Sequence, residues 1–168
     1  DNPGRGMPAT EDPTAPAANP YSWQVHQYDK TQPEALDFLR QARTAAAGGH
    51  LLIGVDLLKP APLLEAAYDD ALGVTAAFNL NLLQHVNELL GADFDLRDWQ
   101  HVALFSPTHS RIEMHLQARR ELTVCWPGGE RRFRAGERMH TENSYKYRRS
   151  DFEGLLRDAG FNRIEGWT

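Results

Sequence analysis

Residues 31 to 57, TQPEALDFLRQARTAAAGGHLLIGVDL, carry the signals on which the fold class turns. Thr31 and Glu34 have the spacing of a capping box, Pro33 falls in the first turn where its missing N–H is no loss, and Gly48-Gly49 supply a stop. Between them Leu36, Leu39, Ala42 and Ala46 recur at helical spacing, which predicts a helix over 32–47 with one apolar face. HLLIGVDL at 50–57 then reads as a short strand buried on both faces. A capped helix feeding such a strand is half of an α/β unit.

Toward the C-terminus, a short helix is expected at 62–69. A longer one begins at Gly73, with Val74, Phe78, Leu82, Val86 and Leu90 spaced by four, Leu83 and Leu89 widening the stripe, and Gly91 as its stop. After Asp98 the period changes from 3.6 to 2. Residues 100–106 read as a strand, and 111–119 place Ile112, Met114, Leu116 and Ala118 on one face against Glu113, His115 and Gln117 on the other. Strands at 121–126 and 131–134 flank the turn Pro127-Gly128-Gly129, so this region is expected to be an antiparallel β-meander with one wet face. Ser150 is placed to cap a helix over 151–159, Gly160 to stop it, and 161–167 to return as a strand. The pattern is α/β, then a helical and antiparallel insert, then α/β again.

Toward the N-terminus the signals fade. Residues 1–20 hold five prolines among Gly, Ala, Asn and Thr and read as a disordered lead, while 21–30 are compatible with a short strand but too brief to decide. A chain of 168 residues with 41% hydrophobic residues suits one compact domain with a small subdomain. Its 18 Lys and Arg against 23 Asp and Glu would repel a phosphate backbone, so nucleic acid is not an expected partner. The cluster Arg131, Arg132, Arg134 and Arg138 is interleaved with Glu130 and Glu137 and reads as a solvated strand face. Cys125 stands alone, apolar runs are far short of the roughly 20 residues that span a bilayer, and no signal-peptide order appears, so a cytoplasmic, membrane-free protein is expected.

The most unusual segment for chemistry is MHTENSYKY, 139–147, which is rich in hydrogen-bonding groups and lies between the insert and the last α/β unit. If its backbone is extended, Glu142 and Ser144 point to one side and suit an imidazole or amide. A polar loop with local turn bonds at Asn143 and Ser144 is the more ordinary reading of the same residues. Tyr68 in AAYDD reads by default as a staple between helices, and Asp69 and Asp70 as complements to the positive end of the next one. Asn79 and Asn81, poor helix formers, suit a pocket or backbone partners equally. Seven histidines show no His-Glu-x-x-His or His-x-His spacing, so no metal centre is expected. There is no nucleophile elbow, phosphate loop or Gly-x-Gly-x-x-Gly run.

The segments GGHLLIGVDLLKPAPLLEAAYDDALGVTAAFNLNLL, RIEMHL and AGERMHTENSYKY, in this order and spacing, resemble the histidine-specific, S-adenosylmethionine-dependent N-methyltransferases of the ergothioneine pathway, over about residues 33–168. The resemblance implies a partial class I methyltransferase (Rossmann-like) core formed by 31–57 and 147–168, with a substrate-binding α+β subdomain at 58–146 and an atypical lead at 1–30. It implies that Glu142 and Ser144 bind the imidazole of L-histidine, that Tyr68 bonds its carboxylate, and that S-adenosylmethionine methylates the α-amine successively, with no metal and as a monomer. The family's glycine-rich cofactor motif and the asparagine element ahead of the first helix have no counterpart here, and no final core strand follows Trp167. The chain is therefore expected to hold a C-terminal portion of the enzyme. A non-catalytic remnant or small-molecule-binding module of the same fold is the alternative.

Overall fold

The computed structural model describes residues 32–168. The Thr31 end of the capping box, the lead at 1–30 and the tentative strand at 21–30 lie outside the described residues. Helix α1 spans Gln32–Ala45, α2 Ala61–Tyr68 and α3 Val74–Leu90; strands follow as β1 Trp99–Ser106, β2 Arg111–Ala118, β3 Leu122–Trp126, β4 Gly129–Phe133 and β5 Arg138–Tyr145, and α4 is Arg149–Asp158. The helix and strand positions read from periodicity agree with these elements to within a few residues, apart from the corrections below.

β2 lies at the centre of a three-stranded antiparallel sheet of order β1-β2-β5, while β3 and β4 form a separate hairpin. The expected meander is thus corrected: β5 takes the second edge of β2, and the β3–β4 hairpin is displaced from the sheet. Gly128 at φ +96° follows Pro127 in the tight turn, the positive-φ position for which glycine is suited. Phe133 meets Trp99 edge to face at 4.9 Å, and Leu83, Leu116, Ala118 and Val124 complete this core. The arginine face beside it is solvated as expected: Arg131 pairs with Glu137 and stacks on Phe133, and Arg132 pairs with Glu121.

α2 and α3 cover the sheet face that carries Ile112, Met114, Leu116 and Ala118, all buried. The apolar stripe expected to seat α3 does not do so: Val74 is 66% exposed and Phe78 57%, while Asn79 and Leu83 are buried. The helix rolls onto this line because Asn79 finds partners on the sheet. Its amide Nδ2 donates to His101 Nδ1 (2.9 Å) and to the His115 carbonyl (3.1 Å), partners that offset the cost of burying the N–H groups, while its buried Oδ1 makes no bond among the described residues.

Leu39, Phe152, Leu156 and Ala159 form a second core between α1 and α4, packed with Leu51, Ile53, Val55, Tyr147, Phe161 and Ile164. The segments 50–57 and 161–167 are not strands. Leu57 makes one parallel bridge with Tyr147, Leu52 is 80% exposed, and no described strand lies beside either segment to complete a ladder. An extended segment becomes a strand only through a neighbour's hydrogen bonds. The Ser150 cap is also corrected: Arg148 is the N-cap and Ser150 lies within the first turn, its hydroxyl on Asp151.

Candidate ligand-binding site

The register of β5 against β2 decides where the MHTENSYKY side chains go. Ser144 lies opposite Ile112 and Glu142 opposite Met114, but His140 lies opposite His115, leaving Thr141 as one extra residue in a β-bulge. A bulge shifts the alternation by one. Met139 thus faces inward with Leu116, His140 outward, and Glu142 and Ser144 inward again. Thr141 anchors the irregularity through Oγ1, which donates to the Met114 carbonyl at 2.9 Å. The segment is therefore neither a polar loop nor a regular strand.

On the inner face Ser144 meets α2. Its Oγ is 2.6 Å from the Tyr68 hydroxyl, although the two residues are 76 apart in the chain. Tyr68 also forms part of the wall of an open cavity of about 460 Å³, with Ala67, Val74, Thr75, Phe78 and Met114. The exposed residues Val74 and Phe78 of α3 are thus cavity wall. Of the three candidate residues, Tyr68 and Ser144 are in contact, and Glu142 is on the same strand face opposite the cavity-lining Met114. Asn79 and Asn81 do not line the cavity: Asn79 lies between helix and sheet, and Asn81 is exposed and donates to His85.

Two further residues hold Tyr68. His101 Nε2 donates to the Tyr68 carbonyl (2.7 Å), which leaves Nδ1 to accept from Asn79; the α2 end, β1 and α3 are tied in one chain of bonds. The side chain of Lys146 is fully buried, its ammonium donating to the Tyr68 hydroxyl (2.7 Å) and Ser144 Oγ (2.8 Å) and pairing with Asp56 (3.2 Å). The Tyr68 ring lies 4.4 Å from the same nitrogen. Burial pulls the Asp56 carboxyl upward, but hydrogen bonds from Lys59 and Lys146 outweigh it and hold the carboxyl below its ordinary value. The sequence does not single out Lys146, although it continues the two-residue spacing of Glu142 and Ser144.

On the opposite sheet face Glu113, His115 and His140 bring potential metal ligands within 4.8 Å of one another. Arg111 already holds Glu113 at 2.7 Å and is the main cause of its lowered pKa. Burial, then His140, holds the His115 pKa down. Arg111 bonds Glu113 through Oε1 alone, and Oε2 is the oxygen that faces His115, 3.8 Å from its Nε2. For a nucleotide cofactor the described residues fit poorly: they contain no strand, glycine-rich loop and helix in succession, and the positive-φ glycines lie at helix ends and turns.

Comparison with known proteins gives this geometry a context. Over 129 residues the chain is 46% identical to histidine N-alpha-methyltransferase of Mycolicibacterium smegmatis, covering 76% of this chain and 40% of that protein. The figures for histidine N-alpha-methyltransferase of Mycobacterium tuberculosis are 46% over 123 residues, 72% and 38%. Ergothioneine biosynthesis protein 1 of Neurospora crassa is 30% identical over 132 residues, covering 70% of this chain and 13% of that protein. The chain thus spans about two fifths of the length of the mycobacterial relatives. The sequence profile of histidine-specific, SAM-dependent methyltransferases matches residues 29–168, and the chain belongs to that family.

Proposed function

We propose that this chain carries the amino-acid-binding portion of an S-adenosylmethionine-dependent Nα-methyltransferase acting on L-histidine and its N-methylated forms in ergothioneine biosynthesis. The observation that carries the reading is the convergence of Tyr68 and Ser144 at 2.6 Å beside the cavity, with Glu142 on the same strand face. In this reading Glu142 and Ser144 take the imidazole, Tyr68 takes the carboxylate, and Val74, Phe78 and Met114 exclude water from the ring. Residues 58–146 form the substrate subdomain, and 31–57 with 147–168 belong to a Rossmann-like core; the separate packing of α1 against α4 supports that division.

S-adenosylmethionine supplies an electrophilic methyl group in this family. The described residues do not form its cradle, so their contribution is positioning: a displacement at carbon needs an aligned, unprotonated amine. Tyr68 and Ser144 hold the two ends of the amino acid for that purpose. A second reading of the same geometry is a histidine-binding module without transfer activity. The two separate on supplying cofactor and L-histidine to the chain and assaying methylated product by mass spectrometry. Product supports the enzyme; histidine affinity without product supports the module.

Calorimetric titration with L-histidine tests the shared part of both readings. Glu142→Ala is expected to weaken binding about tenfold to a hundredfold, because one ring N–H loses its acceptor in a desolvated site. Affinity and selectivity equal to wild type would remove Glu142 from the imidazole site.

A further inference from the structure

Lys146 is more than a filled position behind the site. An ammonium has three hydrogens and no lone pair, and this one meets three oxygens: Asp56 Oδ2 at 3.2 Å, the Tyr68 hydroxyl at 2.7 Å and Ser144 Oγ at 2.8 Å. Both hydroxyl oxygens therefore accept from Lys146. They are also 2.6 Å from each other, so one donates to the other. Two hydroxyls own two hydrogens, and one is consumed between them. The receiving oxygen then has both lone pairs filled but keeps its hydrogen; the donating oxygen keeps one lone pair and no hydrogen to offer.

We propose that Lys146 is a positioning residue that locks Tyr68 and Ser144 into a coupled pair presenting a ligand with one donor and one acceptor, so that L-histidine is bound with its side chain as imidazolium. This rests on the histidine reading above. When Tyr68 gives its hydrogen to the substrate carboxylate, Ser144 gives its own to Tyr68 and can only accept. The Glu142 carboxylate also only accepts. A ring placed between two acceptors needs two N–H groups, and neutral imidazole has one. Binding the neutral ring would leave an acceptor facing a lone pair, which a desolvated site penalises strongly. The negative charge of Glu142 compensates the charge on the ring.

The test uses the full chain and needs two NMR observations. Of the three lysines, Lys30, Lys59 and Lys146, only Lys59 and Lys146 are described, and Lys59 is half exposed, so a slowly exchanging ammonium cross-peak is expected from Lys146. That peak should shift in both Tyr68→Phe and Ser144→Ala. L-histidine labelled with ¹⁵N in the ring is then added at pH 8, where the free ring is mostly neutral; both bound nitrogens are expected at protonated positions. One unprotonated nitrogen would overturn the inference while leaving histidine binding intact. No saturable binding of L-histidine to wild type would overturn the histidine reading and the imidazolium with it. An ammonium peak that is absent, or unmoved in both variants, would overturn the Lys146 coupling whatever the ligand does. Lys146→Met is expected to lose about tenfold to a hundredfold in affinity with unchanged circular dichroism; if it does not fold, the two hydroxyl variants decide.

Discussion

At the scale of single residues, the site is organised by polar groups whose partners are distant in the chain. Asn79 illustrates the point. Its low helix propensity is visible in the sequence, and so is the choice between a pocket and other partners, but the choice itself rests on His101 and His115, which only the β1–β2 pairing brings within reach. That Glu142 and Ser144 share a face is readable because they stand two apart in an extended segment. The burial of Lys146 is not, because it depends on Asp56, ninety residues earlier. Asn79→Ala removes two bonds and leaves His101 Nδ1 without its donor in a covered place. The expected loss is about 1–3 kcal/mol of unfolding free energy, read from urea denaturation at constant m-value. Because His101 also holds the Tyr68 carbonyl, ligand affinity should fall with it; unchanged stability would mean that water replaces the amide.

At the scale of elements, two local devices set the geometry. Asp70 caps the free start of α3: its carboxylate accepts from the backbone N–H of Thr75 (2.9 Å) and Val74 (3.1 Å), as the acidic pair before the helix suggested. These bonds, Thr75 first, hold its pKa at about 2, below the ordinary 3.8. A depressed carboxyl contributes its stability above the unfolded value, and the contribution is lost as pH falls from about 3.8 toward 2. Asp70→Asn should therefore be less stable than wild type at pH 6, and the gap should narrow as pH falls from about 3.8 to 2 in parallel thermal melts. A constant gap would point to the amide's shape rather than to the charge.

The bulge at Thr141 is the second device, and period-two reading cannot find it. Regular alternation from the inward Met139 would send Glu142 and Ser144 outward. Removing Thr141 should restore a regular ladder with Glu142 still opposite Met114, at the loss of one bond to the Met114 carbonyl, about 1 kcal/mol. Removing Asn143 should be far worse, because Ser144 and Lys146 would exchange faces with Tyr145 and carry the ammonium away from Asp56 and Tyr68. Thermal denaturation of the two deletion variants distinguishes these outcomes. Equal damage would show that the bulge, rather than the facing it produces, is what the sheet requires.

For the whole molecule, β1 to β4 were legible because alternation and a turn signal mark them locally, whereas β5 and its place on the second edge of β2 were not, because only the pairing with β2 makes that polar segment a strand. The α/β readings at 50–57 and 161–167 had the correct apolar composition but no described strand to pair with, and composition alone does not make a ladder. The consequence is unequal stability. Around the sheet, Trp99, Ile112, Met114, Leu116, Val124 and Phe133 are buried with Leu64 and Leu83, and β2 is bonded on both edges. The α1–α4 lobe has a smaller fully buried set and joins the sheet lobe chiefly through Leu57, Leu58 and Asp56 against Lys146 and Tyr147. Fewer buried apolar groups and a narrow connection mean that this lobe can open while the sheet stays closed. Native-state hydrogen exchange should give the β2 amides the largest opening free energy, those of α1 and α4 a distinctly smaller one, and residues 51–55 and 162–167 almost none. If α1, α4 and β2 instead shared one value, the two cores would unfold as a single cooperative unit, and the division of the chain into a substrate subdomain and a separate core fragment would lose its energetic basis.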